Sequence, residues 1–235
     1  MIEVQHITKR YGPVAAVNDV SFRVEAGQIL GFLGPNGAGK TTLIKSIVNL
    51  VTVMSGQVLF GDLDITGKET HKIVEQGIGF VPQTSNIFPN LSVHENLELS
   101  MKSGSAEKTR TRIEAIYSNF PRLLERTKQQ GKTLSGGERQ MLAIGSALLS
   151  EPNLLILDEP VTGLSPQLTE EVINSIVKIN KGGTSILWVV EENPLQVLAV
   201  SDTTFIIQSG VVKTECASSD LIGSSDFNQI FMGIT

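Results

Sequence analysis

A glycine-rich run that leads to one lysine is the strongest chemical signal in the sequence. It fits the pattern G-x-x-x-x-G-K-[ST], in which the backbone wraps an anion and N–H groups converge on phosphate oxygens. Lys40 would then place its charge between two phosphates, and the Thr41 hydroxyl would bind Mg²⁺. The alternative is a chance glycine-rich turn. The predicted phosphate-binding residues are Gly34, Pro35, Asn36, Gly37, Ala38, Gly39, Lys40, Thr41 and Thr42.

Two adjacent carboxylates, Asp158 and Glu159, follow the apolar run Leu154–Leu157. We expect Asp158 to reach the Mg²⁺ shell, and Glu159 to polarise the attacking water as a general base. The alternative is a strand that merely ends in acidic residues. A guanine-specific N-K-x-D pattern fails at its last position in 180–183, which disfavours GTP. The two motifs together predict hydrolysis of a nucleoside triphosphate.

The apolar patterning predicts an α/β fold that a helical segment interrupts. A glycine loop after a buried strand and before a helix has the context that phosphate binding needs. The predicted strands are Ile2–Ile7, Val17–Val24, Gln28–Leu33, Leu154–Leu157 and Ser185–Val190, with a hairpin of Thr204–Gln208 and Gly210–Lys213. The predicted helices are Gly37–Asn49, Ser92–Met101, Glu107–Arg126, Gly136–Leu149 and Pro166–Asn180, and a short helical tail follows the hairpin.

The composition excludes several classes of protein. The 235 residues carry a formal net charge of −5, which offers no basic face for nucleic acid. One cysteine, Cys216, excludes an internal disulfide framework. No apolar run approaches the length of a membrane span, and the first residues lack the pattern of a signal peptide, so we expect a cytosolic chain. The single tryptophan, Trp188, lies in an apolar run and is predicted to be buried.

Between the two motifs lies Leu134–Gln140, with the sequence LSGGERQ, and here the chain resembles the ABC-type ATPases. A serine hydroxyl and glycine N–H groups at a helix N-terminus form an anion site. The resemblance implies that this site caps the γ-phosphate held by a partner subunit. The residues that it assigns to this role are Ser135, Gly136, Gly137 and Glu138.

The same resemblance implies a fold: an α/β P-loop NTPase with a RecA-like core, an N-terminal antiparallel β region and an inserted helical subdomain. Residues 1–235 would form a single ABC ATPase domain. Its nucleotide-binding core would comprise 1–83 and 151–235, and its helical signature subdomain 84–150.

Two further positions match the family. Tyr11 resembles the aromatic residue that stacks on adenine, although a core aromatic is the alternative. Gln83 resembles the glutamine that touches Mg²⁺, although a loop amide is the alternative. The metal residues would be Thr41, Gln83 and Asp158. The segment 88–97 resembles the family segment whose groove receives a coupling helix from a transmembrane partner.

Within the family, Gly163–Pro166 and the tail Phe231–Gly233 resemble the branched-chain and neutral amino-acid uptake ATPases, with amide and urea uptake as relatives. This resemblance implies ATP and Mg²⁺ as cofactors and a peripheral position on the cytoplasmic face of the membrane. It implies as partners a second ABC ATPase subunit (a heterodimer, with a homodimer possible), two transmembrane permease subunits and, indirectly, a solute-binding protein. No nucleic-acid partner is expected.

Two positions depart from the family pattern. Pro166 stands where most members have aspartate, and Glu192 stands at the position of the switch histidine that donates to the γ-phosphate. An ionised carboxylate cannot donate a hydrogen bond. We therefore hypothesise that the chain's own site turns over slowly while its intact signature serves the partner's site. The alternative for Glu192 is a tolerated variant with little effect. The alternatives to a transport ATPase are a soluble ABC ATPase of DNA repair or translation and a low-turnover regulatory subunit that binds nucleotide.

Overall fold

The computed structural model of the protein describes residues 1–84, 86–101, 105–191, 194–222 and 227. The described residues group into two compact units, the first built from Met1–Gln76 with Ser185–Thr235 and the second from Gly77–Thr184. The elements in chain order are β1 (Ile2–Tyr11), β2 (Val14–Val24), β3 (Ile29–Leu33), α1 (Lys40–Ile47), β4 (Ser55–Phe60), β5 (Leu63–Asp64), α2 (Thr70–Glu75), β6 (Ile78–Val81), α3 (Val93–Ser100), α4 (Ala106–Asn119), α5 (Pro121–Glu125), α6 (Gly136–Leu148), β7 (Leu154–Asp158), α7 (Pro166–Lys181), β8 (Ser185–Val190), α8 (Pro194–Leu198), β9 (Thr203–Gln208), β10 (Val211–Ala217) and α9 (Ser218–Leu221).

The first unit contains an antiparallel and a mainly parallel group of strands. In the antiparallel group, β1 pairs with β2 and β4, and β4 pairs with β5. In the other group, β3 lies between β8 and β9 and runs parallel to both, while β10 pairs antiparallel with β9. Every residue of β3 and β8 is buried, as expected for parallel strands that are covered on both faces.

An aromatic cluster joins these two groups of strands. Phe22 of β2 lies 5.3 Å from Phe32 of β3 and 5.8 Å from Phe205 of β9, measured between ring centroids. Aromatic rings at such distances contribute both buried area and favourable ring–ring geometry. Trp188 of β8 is fully buried, which confirms its predicted place in the core.

The second unit is built around α6. This helix packs against β6, α3, α5 and α7, and β6 pairs in parallel with the fully buried β7. A Cβ at Gly145 would lie 2.7 Å from Ile116 Cγ2, so a glycine here allows α4 to approach α6 closely. The helix that begins within the LSGGE motif is thereby fixed on several sides.

The mixed α/β architecture confirms the predicted fold class, but one predicted helix was wrong. The continuous helix Glu107–Arg126 is two helices, α4 and α5, separated at Phe120. Pro121 occupies the first position of α5, where its missing N–H costs nothing, whereas inside a longer helix its ring would clash with the preceding turn. The strands β4, β5 and β6 and the helix α2 were not predicted.

The predicted subdivision at residues 83 and 150 differs from the grouping of the described residues, whose boundaries follow Gln76 and Thr184. The difference arises because β6 and β7 pair with each other and α6 packs on β6 and α7. The subdivision at 83 and 150 therefore stays a prediction. Glu192 and Phe231–Gly233 lie outside the described residues. Among the described residues, no helix combines the length and the apolar character needed to cross a bilayer.

Candidate functional site

The predicted phosphate loop joins β3 to α1 in the first unit, and two of its glycines pack against backbone. A Cβ at Gly34 would lie 2.3 Å from the carbonyl oxygen of Ile207. A Cβ at Gly39, where φ is +105°, would lie 2.0 Å from the carbonyl oxygen of Ala16. Any other residue at these two positions would displace the loop, so close backbone packing holds its shape.

Gly39 is also the N-cap of α1, and no side chain caps this helix. Because the first N–H groups of a helix have no acceptor within the helix, an uncapped first turn presents donors and a positive dipole to an anion. The Ala38 carbonyl accepts from the backbone N–H of Gly210 at 2.9 Å, which ties the loop to the β9–β10 turn. These features fit phosphate oxygens as ligands.

Lys40 is 3% exposed, and its ammonium group has three partners. Its Nζ donates to the carbonyl oxygens of Gly34 at 2.7 Å and Pro35 at 3.0 Å. It also lies 3.4 Å from Oε2 of Glu191, the residue that follows β8. Glu191 was not among the site residues predicted from the sequence.

Tyr11 lies at the end of β1 with 51% of its surface exposed, so its interpretation as a core aromatic was wrong. The Lys9 ammonium lies 5.0 Å from the centroid of its ring and also donates to the carbonyl oxygen of Thr52 at 2.7 Å. An exposed ring of this kind has a face on which a base can stack, and stacking of Tyr11 on adenine stays a prediction.

Of the two predicted carboxylates in the second unit, Asp158 is the last residue of β7 and Glu159 follows it, and both are buried. Oε2 of Glu159 accepts hydrogen bonds from Nε2 of Gln83 at 3.0 Å and from the hydroxyl of Thr162 at 3.1 Å. Glu159 itself has φ +50°, a conformation that is strained for a residue with a side chain. The structure therefore brings Gln83 and Glu159 together, and it adds Thr162, which the sequence analysis missed.

A cleft of about 690 Å³ adjoins this carboxylate in the second unit. Gln83, Glu159 and Thr162 line it together with Gly136 and Gln140 of α6. Its polar groups converge around one carboxylate, as in sites that position a small polar ligand or a water molecule.

Side chains hold the signature segment, Leu134–Gln140, in its conformation. Ser135 is the N-cap of α6 and forms a capping box with Glu138: its hydroxyl accepts from the Glu138 N–H at 3.3 Å, and its own N–H donates to Glu138 Oε2 at 2.8 Å. The other carboxylate oxygen of Glu138 accepts from the guanidinium of Arg126. A capping box satisfies donors that a helix end would otherwise leave open.

Both oxygens of Glu138 therefore have partners within the chain, and only 5% of the residue is exposed. Burial alone would raise the pKa of this carboxyl, but hydrogen bonds from Ser135 and Arg126 outweigh it and hold the pKa below its ordinary value. Glu138 thus positions Ser135. A direct contact of Glu138 with nucleotide stays a prediction.

Pro166 is the first residue of α7, with Ser165 as the N-cap. A proline fits this position because its φ is already helical and the first N–H has no intrahelical partner. The departure noted in the sequence therefore causes no disruption of α7. Gly137 of α6 lies near the start of this helix, since a Cβ there would lie 2.9 Å from Leu168 Cδ1.

The site features and the fold are those of an ATP-binding cassette, and comparison with known proteins agrees. A family model described as ABC transporter matches residues 17–162. The chain therefore belongs to the ABC transporter family, as an ATP-binding subunit with the ATPase activity of that family.

Several relatives match along essentially the whole chain. A probable branched-chain amino acid transport ATP-binding protein, LivF of Archaeoglobus fulgidus, is 37% identical over 100% of this chain and 99% of its own length. The high-affinity branched-chain amino acid transport ATP-binding protein BraG of Pseudomonas aeruginosa is 31% identical over 99% and 100%. The lipopolysaccharide export system ATP-binding protein LptB of Escherichia coli is 30% identical over 99% and 97%.

Solved structures show the same fold. The ADP conformation of an ATP-binding cassette from an ABC transporter matches with a TM-score of 0.87 and 25% identity over 98% of both chains. A nucleotide-free ATP-binding cassette from an ABC transporter matches with a TM-score of 0.86 and 25% identity over 99% of both chains.

Proposed function

We propose that the chain binds MgATP and hydrolyses it to drive uptake of branched-chain or neutral amino acids through membrane partner subunits. The relative of Archaeoglobus fulgidus, which is described as a branched-chain amino acid transport protein and matches the whole chain, supports this class of solute. The sequence Gly163–Pro166 supports it as well. Amides and urea are the alternative solutes.

In this proposal, Tyr11 stacks on adenine and the phosphate loop, Gly34–Thr42, binds the phosphates. The uncapped start of α1 supports the second role, since its first turn offers backbone donors to an anion. The exposed ring of Tyr11 supports the first role.

Hydrolysis depends on Glu159, and the observation that carries this assignment is the pair of hydrogen bonds that orient its carboxylate. Gln83 and Thr162 both donate to one oxygen of Glu159. A general base must be held in a defined orientation to take a proton from the attacking water. We assign Glu159 this role and Gln83 the role of linking it to the metal.

The metal would be held by Thr41, Gln83 and Asp158. Hydroxyl, amide and carboxylate oxygens are the ligands that Mg²⁺ prefers, so this donor set fits the ion. When bound, the ion would neutralise charge on the phosphates and so favour their transfer to water. Asp158 is 1% exposed at the end of β7 and is fixed there by the strand.

We further propose that the signature, Ser135–Glu138, acts on nucleotide held by a second ATPase subunit. The capping box supports this role because it fixes the Ser135 hydroxyl at the positive end of α6. With Glu192 at the switch position, a heterodimer would have its faster site on the partner's phosphate loop. The subunits would assemble with two permeases, receive solute from a binding protein and lie on the cytoplasmic face of the membrane.

The test of hydrolysis uses Glu159→Gln in the assembled transporter. We expect ATPase activity from the site that Glu159 serves to fall by about 10²- to 10⁴-fold with retained ATP binding, because the neutral amide cannot accept the proton. Glu170→Gln, on the exposed face of α7, is the matched control and should leave activity unchanged. Unchanged hydrolysis in both variants would remove Glu159 from the mechanism.

The test of the solute is affinity purification of the tagged chain from gently solubilised membranes, followed by uptake assays in vesicles. We expect two polytopic proteins, a second ATPase and ATP-dependent uptake of branched-chain amino acids. Uptake of amides or urea alone would correct the solute. Recovery of export components, repair factors or ribosomes would contradict the uptake proposal.

A further inference from the structure

The buried ammonium of Lys40 already has a full set of partners in the structure. A lysine ammonium has three N–H donors, and a buried one is stable only if acceptors surround it. The acceptors here are two carbonyl oxygens of the phosphate loop, from Gly34 and Pro35, and Oε2 of Glu191. Glu191 is the charged member of this set.

The fold explains why Glu191 lies at this place. In the parallel pair of β3 and β8, Leu33 is in register with Val190, so the next residues, Gly34 and Glu191, leave the two strands side by side. The carboxyl ends of parallel strands meet at the same edge, and the phosphate loop begins at this edge. Glu191 is 18% exposed, which leaves its side chain a route to solvent.

We propose that Glu191 is the counter-ion of the phosphate loop in the nucleotide-free chain, and that the phosphates of an incoming nucleotide replace it at Lys40. The proposal rests on the function proposed above, in which Lys40 binds the β- and γ-phosphates. It makes Glu191 a residue that sets nucleotide affinity and exchange, in addition to those that contact the nucleotide directly.

Two physical effects give Glu191 this influence. Its pair with Lys40 must open before a phosphate can accept from the same donors. The apparent affinity for nucleotide is therefore the intrinsic affinity multiplied by the fraction of molecules in which the pair is open. A carboxylate that stays close to the bound phosphates also repels them. Both effects act on the charged end of the nucleotide and spare the base.

The experiment measures binding of MgADP, of the magnesium complex of a non-hydrolysable ATP analogue, and of adenosine to the full chain by calorimetry. We expect Glu191→Gln to tighten the first two by on the order of tenfold and to leave adenosine unchanged. We also expect a lower unfolding temperature without nucleotide and a larger rise on addition of MgADP, because the variant lacks the counter-ion.

Two controls make the result specific. Glu215→Gln makes the same change of net charge at an exposed position of β10 and should leave all affinities unchanged. In a Lys40→Ala background, Glu191→Gln should lose the part of its effect that comes from the pair with Lys40 and keep only relief of the direct repulsion. If Glu191→Gln fails to fold, Glu191→Asp provides the test, since a shorter carboxylate should give a smaller tightening of the same sign.

The outcomes separate the two proposals. A wild-type chain that binds no MgADP would overturn the proposed function. A wild-type chain that binds MgADP, together with a Glu191→Gln variant of equal or weaker affinity, would overturn the counter-ion role alone.

Discussion

The phosphate loop and the signature segment both lie at the first turn of a helix, but different parts of the chain hold them. In the phosphate loop, Gly39 caps α1 without a side chain, and glycines pack against carbonyl oxygens. In the signature segment, Ser135 and Glu138 cap α6 reciprocally, and Arg126 holds Glu138. The first predicted anion site is a backbone cradle, whereas the second is a hydroxyl held by a hydrogen-bond network.

This difference determines what each region tolerates. A backbone cradle fails when a side chain is added to it, since the clash is with atoms that cannot move aside. A hydrogen-bond network loses stability in steps as its members are removed. Each hydrogen bond contributes about 1 kcal/mol to the free energy of unfolding, and those to charged groups contribute more. Substitutions at Gly34 and Gly39 of the phosphate loop should therefore have abrupt effects, and substitutions in the signature segment graded ones.

The largest effect is expected for Gly39→Ala. Its Cβ would overlap the carbonyl oxygen of Ala16, so we expect loss of measurable ATP binding and destabilisation above about 3 kcal/mol. Gly37→Ala is the matched control, because Gly37 also has positive φ but no atom lies within 4 Å of its Cβ position. It should cost about 1–2 kcal/mol from backbone strain alone. Equal losses in denaturant unfolding would contradict the backbone-cradle description.

Arg126→Met should have the next largest effect. It leaves the buried carboxylate of Glu138 without its charged donor, and we expect destabilisation of about 2 kcal/mol. Arg110→Met, on an exposed face of α4, should cost less than about 0.5 kcal/mol. A double-mutant cycle with Glu138→Gln should show coupling between Arg126 and Glu138. Additive losses would show that Arg126 acts elsewhere.

Ser135→Ala should cost about 1 kcal/mol of stability, the usual cost of losing a hydroxyl N-cap. Ser135→Thr keeps the acceptor and should recover most of this loss. Calorimetric unfolding of the two variants gives the comparison. If Ser135→Thr is as unstable as Ser135→Ala, the capping hydroxyl contributes nothing to the stability of α6.

The smallest effect is the pH dependence that Glu138 contributes. Its folded-state pKa lies below the ordinary value, so its stabilisation is complete above that value and is lost as the pH falls through the lowered pKa. The stability advantage of wild type over Glu138→Gln should therefore be present at pH 7 and shrink in the acid range. Unfolding titrations at several pH values measure it, and a constant difference would contradict the lowered pKa.

The parts of the site that depend on the backbone could be predicted from the sequence. The glycines before Lys40, the apolar run before Asp158 and the serine that begins α6 each have a pattern of their own. Contacts between residues distant in sequence could not be predicted in this way. Arg126 lies 12 residues before Glu138 and belongs to no motif, and Glu191 reaches Lys40 through strand register alone.

The helices and strands were also predictable where a local sequence pattern marks them. The buried strands β3, β7 and β8 were predicted because continuous apolar runs mark strands that are covered on both faces. Pro121 shows where periodicity misled: the apolar spacing continues through it, but the helix cannot. At α7, by contrast, the helix was predicted to begin at Pro166, and the structure confirms that Pro166 is its first residue.

Trp188 gives the first unit an intrinsic optical reporter. It is the single tryptophan of the chain and is fully buried in β8, two residues before the strand ends at Val190. Its indole is therefore shielded from water in the native state, and its emission should shift to longer wavelength when β8 unfolds. The strand that positions Glu191 can be followed by fluorescence without a label, in the same samples used to measure nucleotide affinity.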